Sequence, residues 1–500
     1  MDFRSRISQF VLELTVFVCG ALVMIYEING SRILAPHIGT STYVWTSLIG
    51  VILGALSLGY WYGGKLADRR PELRILAFVL FLAAGLVSLT ILVKDLALAF
   101  IVKAPLILEI KSLLAALFLF APASVLLGFV TPFAVKLRTL SLDETGSTVG
   151  RLYALSTVGS IVGTFAAGFV LIPFVGSTRT LYLIAASLFG VALMLSPFAV
   201  SKLKVISLTV FLCGILTGEA FSLYLFSRYE LVDADTQYNR VQIFRATDEA
   251  TGRQIRAMAI DPATLQSKMF LDGDELATEY LKYYHLVRHF KPDFEEVLMI
   301  GGAGYSYPKD FLRIYPGKRI DTVEIDPKMT ALARKHFNLR DDPRLKIIHE
   351  DGRMFLNRAP DGAYDAVFLD AFSALFSIPF HLTTREAAVE VRRVLKPDGV
   401  VIFNIGGALT GDGSRFFRAE LATYREVFPD VRVFKVRPER ADETVQNLII
   451  VARASTGPLN ESVDPEIARL LANRRTVDVE PGTPILTDEL APVEYYNSNH

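Results

Sequence analysis

Long runs of apolar residues fill the first 226 positions of the chain, and short alternating stretches follow them. A helix needs about 20 apolar residues to cross a hydrocarbon core ~30 Å thick. Seven runs qualify, at residues 10–30, 43–64, 74–93, 111–135, 152–174, 180–200 and 205–226. The pattern predicts an α-helical membrane domain over residues 1–226, with about seven spans and the lipid bilayer as its partner. Small residues recur at a spacing that predicts close helix contact, in Gly159, Gly163 and Ala167 and in Gly50 and Gly54.

Basic residues are divided unequally between the two ends of these runs. Eleven lie at the N-terminus and after the second, fourth and sixth runs, against six at the other end. An excess of Lys and Arg marks the cytoplasmic side, so the N-terminus is expected there. Seven spans would then put the rest of the chain outside. The chemistry argued below belongs inside, so we expect a multi-pass protein of the inner (plasma) membrane with a cytoplasmic soluble domain. The number of spans and the side stay open.

From residue 227 the pattern changes to short strands and amphipathic helices. Residues 227–274 alternate over stretches such as Val241–Phe244, which is typical of a small β-rich subdomain. Helical periodicity runs from Glu275 to His289. Strands are predicted beyond it at Glu296–Ile300, Arg319–Val323, Leu345–Ile348, Ala366–Leu369, Val400–Ile405, Val431–Val436 and Leu448–Val451.

Helical segments, including Pro327–Phe337 and Thr384–Leu395, lie between most of these strands. Such alternation predicts a parallel, doubly wound sheet, that is, an α/β Rossmann-like domain over residues 275–455. A ligand should bind beyond the carboxyl ends of its first strands. Residues 456–500 form a C-terminal extension.

Composition narrows the function classes. Hydrophobic residues make up 51% of the chain and charged residues 21%, with 52 basic and 52 acidic side chains. Residues 1–226 hold sixteen of the basic and ten of the acidic ones. The balance excludes a strongly basic nucleic-acid-binding protein. Cys19 and Cys213 both lie in apolar runs, which excludes a disulfide scaffold.

Four predicted strands end in residues suited to a nucleotide. The first ends in Gly301-Gly302-Ala303-Gly304, where small residues let the backbone approach a ligand. The second ends at Glu324, which can accept both hydroxyls of a ribose. Asp351 and Gly352 follow the third, where a carboxylate can take an adenine amino group, and Asp370 follows the fourth. This ordered set predicts a nucleotide site rather than unrelated loop carboxylates.

Residues 229–455 resemble the spermidine synthase (polyamine aminopropyltransferase) family, within the wider AdoMet-dependent methyltransferase fold. Short motifs carry the resemblance: Gly301-Gly302-Ala303-Gly304, Val323-Glu324-Ile325-Asp326, Asp341-Asp342-Pro343-Arg344, Asp351-Gly352, and Tyr364-Asp365 leading to Asp370. Leu271-Asp272-Gly273 and Tyr283 are similar to the family's substrate-side segment. The tail Leu486-Thr487-Asp488-Glu489 looks like the ending of membrane-bound members.

The resemblance implies transfer of an aminopropyl group from decarboxylated AdoMet to a small-molecule amine, with release of methylthioadenosine. It implies donor binding by Gly301, Gly302, Gly304, Glu324, Asp351 and Gly352. Asp370 would be the base that takes a proton from the amine, and substrate contacts are expected from Tyr283, Tyr305 and Ser373. The leaving group is a neutral thioether, so no metal is expected. A homo-oligomer such as a dimer is left open.

Two positions depart from the family pattern. Gly304 stands where members carry an acid for the donor's amine, and Ser373 where they carry a second Asp. These departures keep other functions open. One is another reaction of AdoMet, either methyl transfer or cleavage that releases methylthioadenosine. The other is a transporter whose soluble half senses a nucleotide or a polyamine. Asp370 favours catalysis over sensing.

Overall fold

The computed structural model describes residues 3–39, 41–139, 145–195, 202–260, 265–371, 378–457 and 461–497. The chain divides into two compact units, Met1–Arg240 and Val241–His500. The division falls later than the predicted boundary at residue 226, because a short strand that contacts the helices, β1 (Val232–Asp235), belongs to the first unit.

Over its described residues the first unit contains nine α-helices. They are α1 (Phe3–Ile38), α2 (Thr42–Arg69), α3 (Leu73–Lys103), α4 (Leu108–Leu119), α5 (Ala121–Gly128), α6 (Val130–Arg138), α7 (Thr145–Ala166), α8 (Ser177–Leu195) and α9 (Lys202–Tyr229). A π-helical segment, Ala167–Val175, continues α7.

Five of the described helices are long and apolar enough to cross a membrane: α1, α2, α3, α7 with its π-helical continuation, and α8. Helix α4 and the segment Ala121–Arg138 meet at a 52° bend and would make a sixth crossing if they form one broken span. The seventh predicted run lies in α9. A count of about seven spans stays a prediction.

Small residues set a close contact between α1 and α7, as predicted. A Cβ atom on Gly159 would lie 2.1 Å from the carbonyl oxygen of Phe17, and one on Gly163 would lie 2.3 Å from that of Ala21. Helices α1 and α7 therefore pack backbone to backbone, which side chains larger than hydrogen at these positions would prevent. The same prediction is wrong for Gly50 and Gly54, where an added Cβ would meet no described atom within 4 Å.

Polar contacts place the last residues of the first unit at the C-terminal end of α1. Arg32 donates hydrogen bonds to the carbonyl oxygens of Gln237 and Tyr238. Asp235 accepts from the backbone N–H and the hydroxyl of Ser177, at 2.8 and 2.7 Å. Glu13 pairs with Arg151 at 2.9 Å, nearer the N-terminal end of α1. The first residues of α1 and residues 235–238 thus lie at opposite ends of the helices.

The second unit begins with a small antiparallel sheet, which agrees with the expected β-rich segment. Strand β3 (Gln254–Ala259) pairs with β2 (Arg240–Thr247) on one side and with β4 (Leu265–Phe270) on the other. The helix expected over Glu275–His289 is shorter than predicted. A 3-10 helix spans Tyr280–Leu286 and passes directly into α10 (Val287–Phe290).

An eight-stranded sheet forms the centre of the second unit, in the order β12-β10-β11-β9-β8-β5-β6-β7. Its strands are β5 (Glu296–Ile300), β6 (Arg319–Val323), β7 (Leu345–Ile348), β8 (Tyr364–Leu369), β9 (Leu395–Gly407), β10 (Asp430–Lys435), β11 (Gln446–Arg453) and β12 (Arg474–Arg475). The described helices around it are α11 (Ser306–Ile314), α12 (Pro327–His336), α13 (Gly352–Arg358), α14 (Arg385–Val394), α15 (Arg415–Val427), α16 (Pro465–Leu471) and α17 (Val493–Asn497).

The sheet is mixed rather than wholly parallel, which corrects the prediction. Strands β5 to β9 are parallel, but β11 runs antiparallel to β9, and β10 runs antiparallel to β11. A short connection from β10 to β11 makes this geometry necessary, since a parallel crossover needs a dozen or more residues. The carboxyl ends of β5 to β10 and the first residues of β11 consequently share one edge of the sheet.

Candidate active site

A cavity of about 400 Å³ opens at that shared edge. Its described lining includes Gly301 and Gly302 from the loop after β5, Asp370 after β8, Asn404 in β9 and Asn447 in β11. Consecutive strands of the sheet thus bring residues that are 146 positions apart in the sequence to one cavity. Ligands bind at this edge in open α/β sheets.

The glycine loop is tightly constrained against its neighbours. Gly301 has a φ of 99°, and a Cβ there would lie 2.4 Å from the carbonyl oxygen of Asp370. A Cβ on Gly302 would lie 2.7 Å from the ring of Tyr305. Gly301 therefore needs both the conformational freedom and the small size of glycine. The glycine loop, which is expected to bind the donor, therefore lies directly beside Asp370, the predicted base.

Glu324, at the end of β6, binds the glycine loop from below. Its carboxylate accepts hydrogen bonds from the backbone N–H groups of Gly302 and Ala303, each at 2.9 Å, and from that of Asp326 at 3.0 Å. Only 8% of its surface is exposed. Burial raises the pKa of Glu324, and the three backbone donors partly oppose that shift. Glu324 thus positions the loop through its own hydrogen bonds.

Asp351 begins helix α13 and is partly exposed. Its carboxylate caps the helix by accepting from the N–H groups of Arg353 and Met354, at 2.9 and 3.1 Å. It also contacts the imidazole of His381 at 3.0 Å. Gly352 is buried, and a Cβ there would lie 2.6 Å from Ile300. Neither residue is among those that line the described cavity, so this pair lies to one side of it.

Asp370 is held by two neutral donors inside the cavity. Tyr280 donates its hydroxyl to Oδ2 at 3.0 Å, and Asn404 donates its amide to Oδ1 at 3.2 Å. Burial raises the pKa of this carboxyl from 3.8 to about 6, although Asn404, Tyr280 and Tyr284 oppose the shift with hydrogen bonds. A carboxylate with a pKa just below neutral is well matched to accept a proton at pH 7.

Sequence reasoning missed the residues that orient Asp370. Tyr280 lies three residues before the predicted Tyr283, on the same short helix. Asn404 lies one residue before the end of its predicted strand, and its amide oxygen accepts from Asn447 at 3.0 Å. Residues three apart lie on the same side of a 3-10 helix, so the prediction of Tyr283 could have pointed to Tyr280. No local pattern marks the two asparagines, because only the sheet order brings them together.

Two of the three predicted substrate contacts fall elsewhere. Tyr283 is 2% exposed and its hydroxyl lies between the carbonyl of Lys435 and the amide of Asn473, so it does not line the cavity. Tyr305 is fully buried with its hydroxyl 2.7 Å from that of Thr330, and it supports the glycine loop from behind. Ser373 lies outside the described residues.

Gly304 contacts Ser267 of the small antiparallel sheet. Its N–H donates to the hydroxyl of Ser267 at 2.9 Å, and a Cβ there would lie 2.7 Å from the Ser267 side chain. An acidic side chain, which the family carries at this position, would displace Ser267. Lack of space is therefore the physical reason for the glycine.

Two arginines at the mouth of the cavity had no place in the predicted site. Arg437 and Arg440 follow β10, line the cavity and are exposed. The backbone N–H of Arg437 donates to the side-chain oxygen of Gln446 at 2.9 Å, which holds the turn against β11. Two basic residues directly after a predicted strand of the sheet were the signal that could have found them.

Comparison with known proteins agrees with this geometry. Residues 278–436 match the spermine/spermidine synthase domain. A polyamine aminopropyltransferase of Vibrio vulnificus (strain CMCP6) is 33% identical over 162 residues, which cover 32% of this chain and 52% of that protein. Polyamine aminopropyltransferase 1 of Streptomyces coelicolor is 26% identical over 448 residues, which cover 81% of this chain and 77% of that protein. The crystal structure of a probable spermidine synthase from Corynebacterium glutamicum ATCC 13032 shares 22% identity at a TM-score of 0.44, over 52% of this chain and 96% of that one.

The mixed sheet, the glycine loop and the acids at successive strand ends define an α/β domain of the AdoMet-methyltransferase type. The matched domain and the two relatives narrow the class further. Over residues 278–436 this chain is similar to the spermine/spermidine synthase domain. It spans about half the length of the Vibrio relative and about three quarters of the Streptomyces one.

Proposed function

We propose that this protein transfers an aminopropyl group from decarboxylated AdoMet to an amine and releases methylthioadenosine. The observation that carries the proposal is the contact between the glycine loop and Asp370. This contact puts a carboxylate with a raised pKa next to the loop expected to hold the donor. The aminopropyltransferase names of the relatives support the same reaction.

Donor binding is assigned to the β5, β6 and β7 side of the cavity. Glu324 would accept from the ribose with the one lone-pair position, on Oε1, that its three backbone donors leave free. Asp351 would accept the adenine amino group beside the start of α13. Gly301 and Gly302 would let the sulfonium approach the backbone. The donor's methylene carbon would then lie near Asp370.

The reaction needs one proton acceptor. An amine is mostly protonated at neutral pH, and only its neutral form has the lone pair that attacks carbon. Asp370 takes a proton from the amine nitrogen, which then forms a bond to the methylene carbon next to the sulfonium. The carbon–sulfur bond breaks and its electron pair goes to sulfur, which leaves as the neutral thioether. Tyr280 and Asn404 orient the carboxylate, so proximity supplies much of the remaining gain.

Product analysis tests this function directly. Purified full-length protein is incubated with decarboxylated AdoMet or AdoMet, with and without an amine, and products are identified by mass spectrometry. We expect methylthioadenosine and an aminopropylated amine from decarboxylated AdoMet, and EDTA should not change the rate. A methylated amine, or methylthioadenosine formed from AdoMet without any amine, would instead support the alternative AdoMet reactions.

We further propose that the protein is a multi-pass protein of the inner membrane with its soluble unit in the cytoplasm. AdoMet and its decarboxylated form are made there, which is the reason for this orientation. The basic residues at the N-terminal end of α1 favour the opposite orientation. Reporter fusions at the C-terminus separate the two, because a periplasmic signal would reject both the location and a cytoplasmic donor.

A further inference from the structure

The charged residues that line the cavity are mostly basic, whereas the binding of a diamine requires acidic residues. Among the described lining residues only Asp370 is acidic, whereas Arg437 and Arg440 are both basic. The remaining polar lining is neutral and includes five amides: Gln266, Asn404, Gln446, Asn447 and Asn497. A diamine is a dication at pH 7, so its distal ammonium would approach two guanidinium groups of the same sign. Such an arrangement disfavours a simple diamine as the acceptor.

The guanidinium groups of Arg437 and Arg440 are available to bind a ligand. Within the described part of the chain, neither side chain makes a hydrogen bond or an ion pair. The turn that carries them is nevertheless anchored, because the buried ammonium of Lys435 binds the carbonyl of Arg440 and pairs with Asp442 at 2.6 Å. Acids of the same turn, Glu439, Asp442 and Glu443, are not among the described lining residues. A fixed backbone thus presents two unneutralised cations at the cavity.

The order of the strands places these cations on the acceptor side of Asp370. From the base outward, the strands run β8, β9, β11 and β10, whereas the donor loops lie the other way, on β5, β6 and β7. Three strand spacings of ~4.8 Å separate β8 from β10, about 14 Å in all. Asn404 and Asn447 fill this interval with a pair of linked amides. An acceptor whose amine lies at Asp370 would extend over them toward Arg437.

The chain segment after Asp370 supplies no compensating charge. Residues 372–377 read Phe-Ser-Ala-Leu-Phe-Ser, and none of them carries a carboxylate. The position at which the family carries its second Asp is Ser373. The acidic residues that would neutralise a distal ammonium are therefore missing at the place where the family supplies one.

We propose that Arg437 and Arg440 bind a carboxylate of the substrate, and that this carboxylate belongs to the amine acceptor. The acceptor class would be an amino acid whose side-chain amine attacks the methylene carbon of the donor. Arginine presents paired N–H donors that match a carboxylate. The inference rests on the proposed aminopropyl transfer, because it names the substrate of the same site. The donor's own carboxylate, present in AdoMet and absent from its decarboxylated form, is the other source of this chemistry.

Two matched pairs of compounds separate these sources. Ornithine is putrescine with one added carboxylate, and AdoMet differs from decarboxylated AdoMet in the same way. With full-length protein and decarboxylated AdoMet, we expect kcat/KM for ornithine to exceed that for putrescine. Arg437→Gln and Arg440→Gln should each reduce this preference by about 10- to 100-fold, mainly through KM, which is the effect of a lost charged hydrogen bond. The matched control Arg319→Gln, at the opposite edge of the sheet, should keep it.

The other possible results distinguish between the two sources of the carboxylate and test the transfer reaction itself. A preference for putrescine that the arginine variants leave unchanged would overturn the inference and leave the transfer reaction standing. A preference for AdoMet that the variants abolish would assign the carboxylate to the donor and overturn the acceptor assignment. If no donor yields methylthioadenosine, the proposed function fails. Calorimetric binding of ornithine against putrescine, with methylthioadenosine present, then still tests the arginine site by itself.

Discussion

The side-chain amide of Asn404 donates a hydrogen bond to Oδ1 of Asp370 over 3.2 Å. The oxygen of the same amide accepts from Asn447, so its orientation is determined from both sides. Asp370 consequently points its second oxygen toward Tyr280 and the cavity. Burial raises the pKa of Asp370 and the neutral donors oppose that shift only in part. The raised pKa and the fixed direction of the carboxylate both favour proton transfer from an amine.

Replacing Asp370 should remove the base and leave the donor site intact. We expect Asp370→Asn to lower turnover by ~10²–10⁴-fold, the usual range for a positioned acid or base. Methylthioadenosine affinity, measured by calorimetry, should be nearly unchanged because asparagine has almost the same shape. Asp412→Asn, at an exposed carboxylate, is the matched control. Full activity in Asp370→Asn would contradict the assignment, and loss of nucleotide binding would indicate a structural role.

The pH profile should follow the ionisation of the same carboxyl. Only ionised Asp370 can accept a proton, so kcat/KM should rise with pH through a pKa of about 6. The hydrogen bond from Tyr280 lowers that pKa. Tyr280→Phe removes the bond and should move the acidic limb to higher pH. Profiles of both proteins with one acceptor, between about pH 5 and 9, compare them directly. A limb that stays in place or moves to lower pH is incompatible with this role of Tyr280.

Loss of either nucleotide acid should weaken the product complex. Glu324→Ala and Asp351→Ala should each reduce methylthioadenosine affinity by ~1–3 kcal/mol. The effect at Glu324 should be larger, because the N–H groups of Gly302 and Ala303 also lose their acceptor. Calorimetry measures the affinities, and Asp361→Ala, at an exposed carboxylate, is the control. Unchanged affinity in both variants would reject the donor site.

A second buried acid should affect stability rather than catalysis. Glu420 in α15 is fully buried, and neither carboxylate oxygen has a hydrogen-bond partner among the described residues. Burial raises its pKa well above 4.5, so the folded chain keeps a proton that the unfolded chain releases above about pH 4.5. The contribution of this site to stability is complete below that pH and is lost as the pH rises.

Glu420→Met should therefore raise the melting temperature of the full chain, by about 2–6 °C at pH 8. The gain should be smaller at pH 5, where the native carboxyl costs less to keep protonated. Scanning calorimetry at both pH values measures the difference. Glu390→Met, at a partly exposed acid, should produce no comparable pH-dependent gain. A variant less stable than the parent at pH 8 would mean that the Glu420 carboxyl has a buried partner.

Periodicity by itself determined the elements and the order of the strand ends. The first three predicted strands of the sheet coincide with β5, β6 and β7, because fully apolar runs between turn residues leave little choice of register. The same pattern predicted Glu324, Asp351 and Asp370 at successive strand ends. These features are local, and local sequence specifies them.

Tertiary structure decided which residues meet. Strand direction beyond β9 depends on the length of the β10–β11 connection and on packing, so the alternating pattern could not exclude a wholly parallel sheet. Tyr280 lines the cavity and Tyr283 does not, although both lie on the same 3-10 helix, so packing against the rest of the domain decides between them. Asn404 lies in β9, Asn447 lies in β11 and Arg437 follows β10, and only the sheet order makes these strands adjacent. Contacts between residues far apart in sequence arise from packing of the whole domain, and no short segment encodes them.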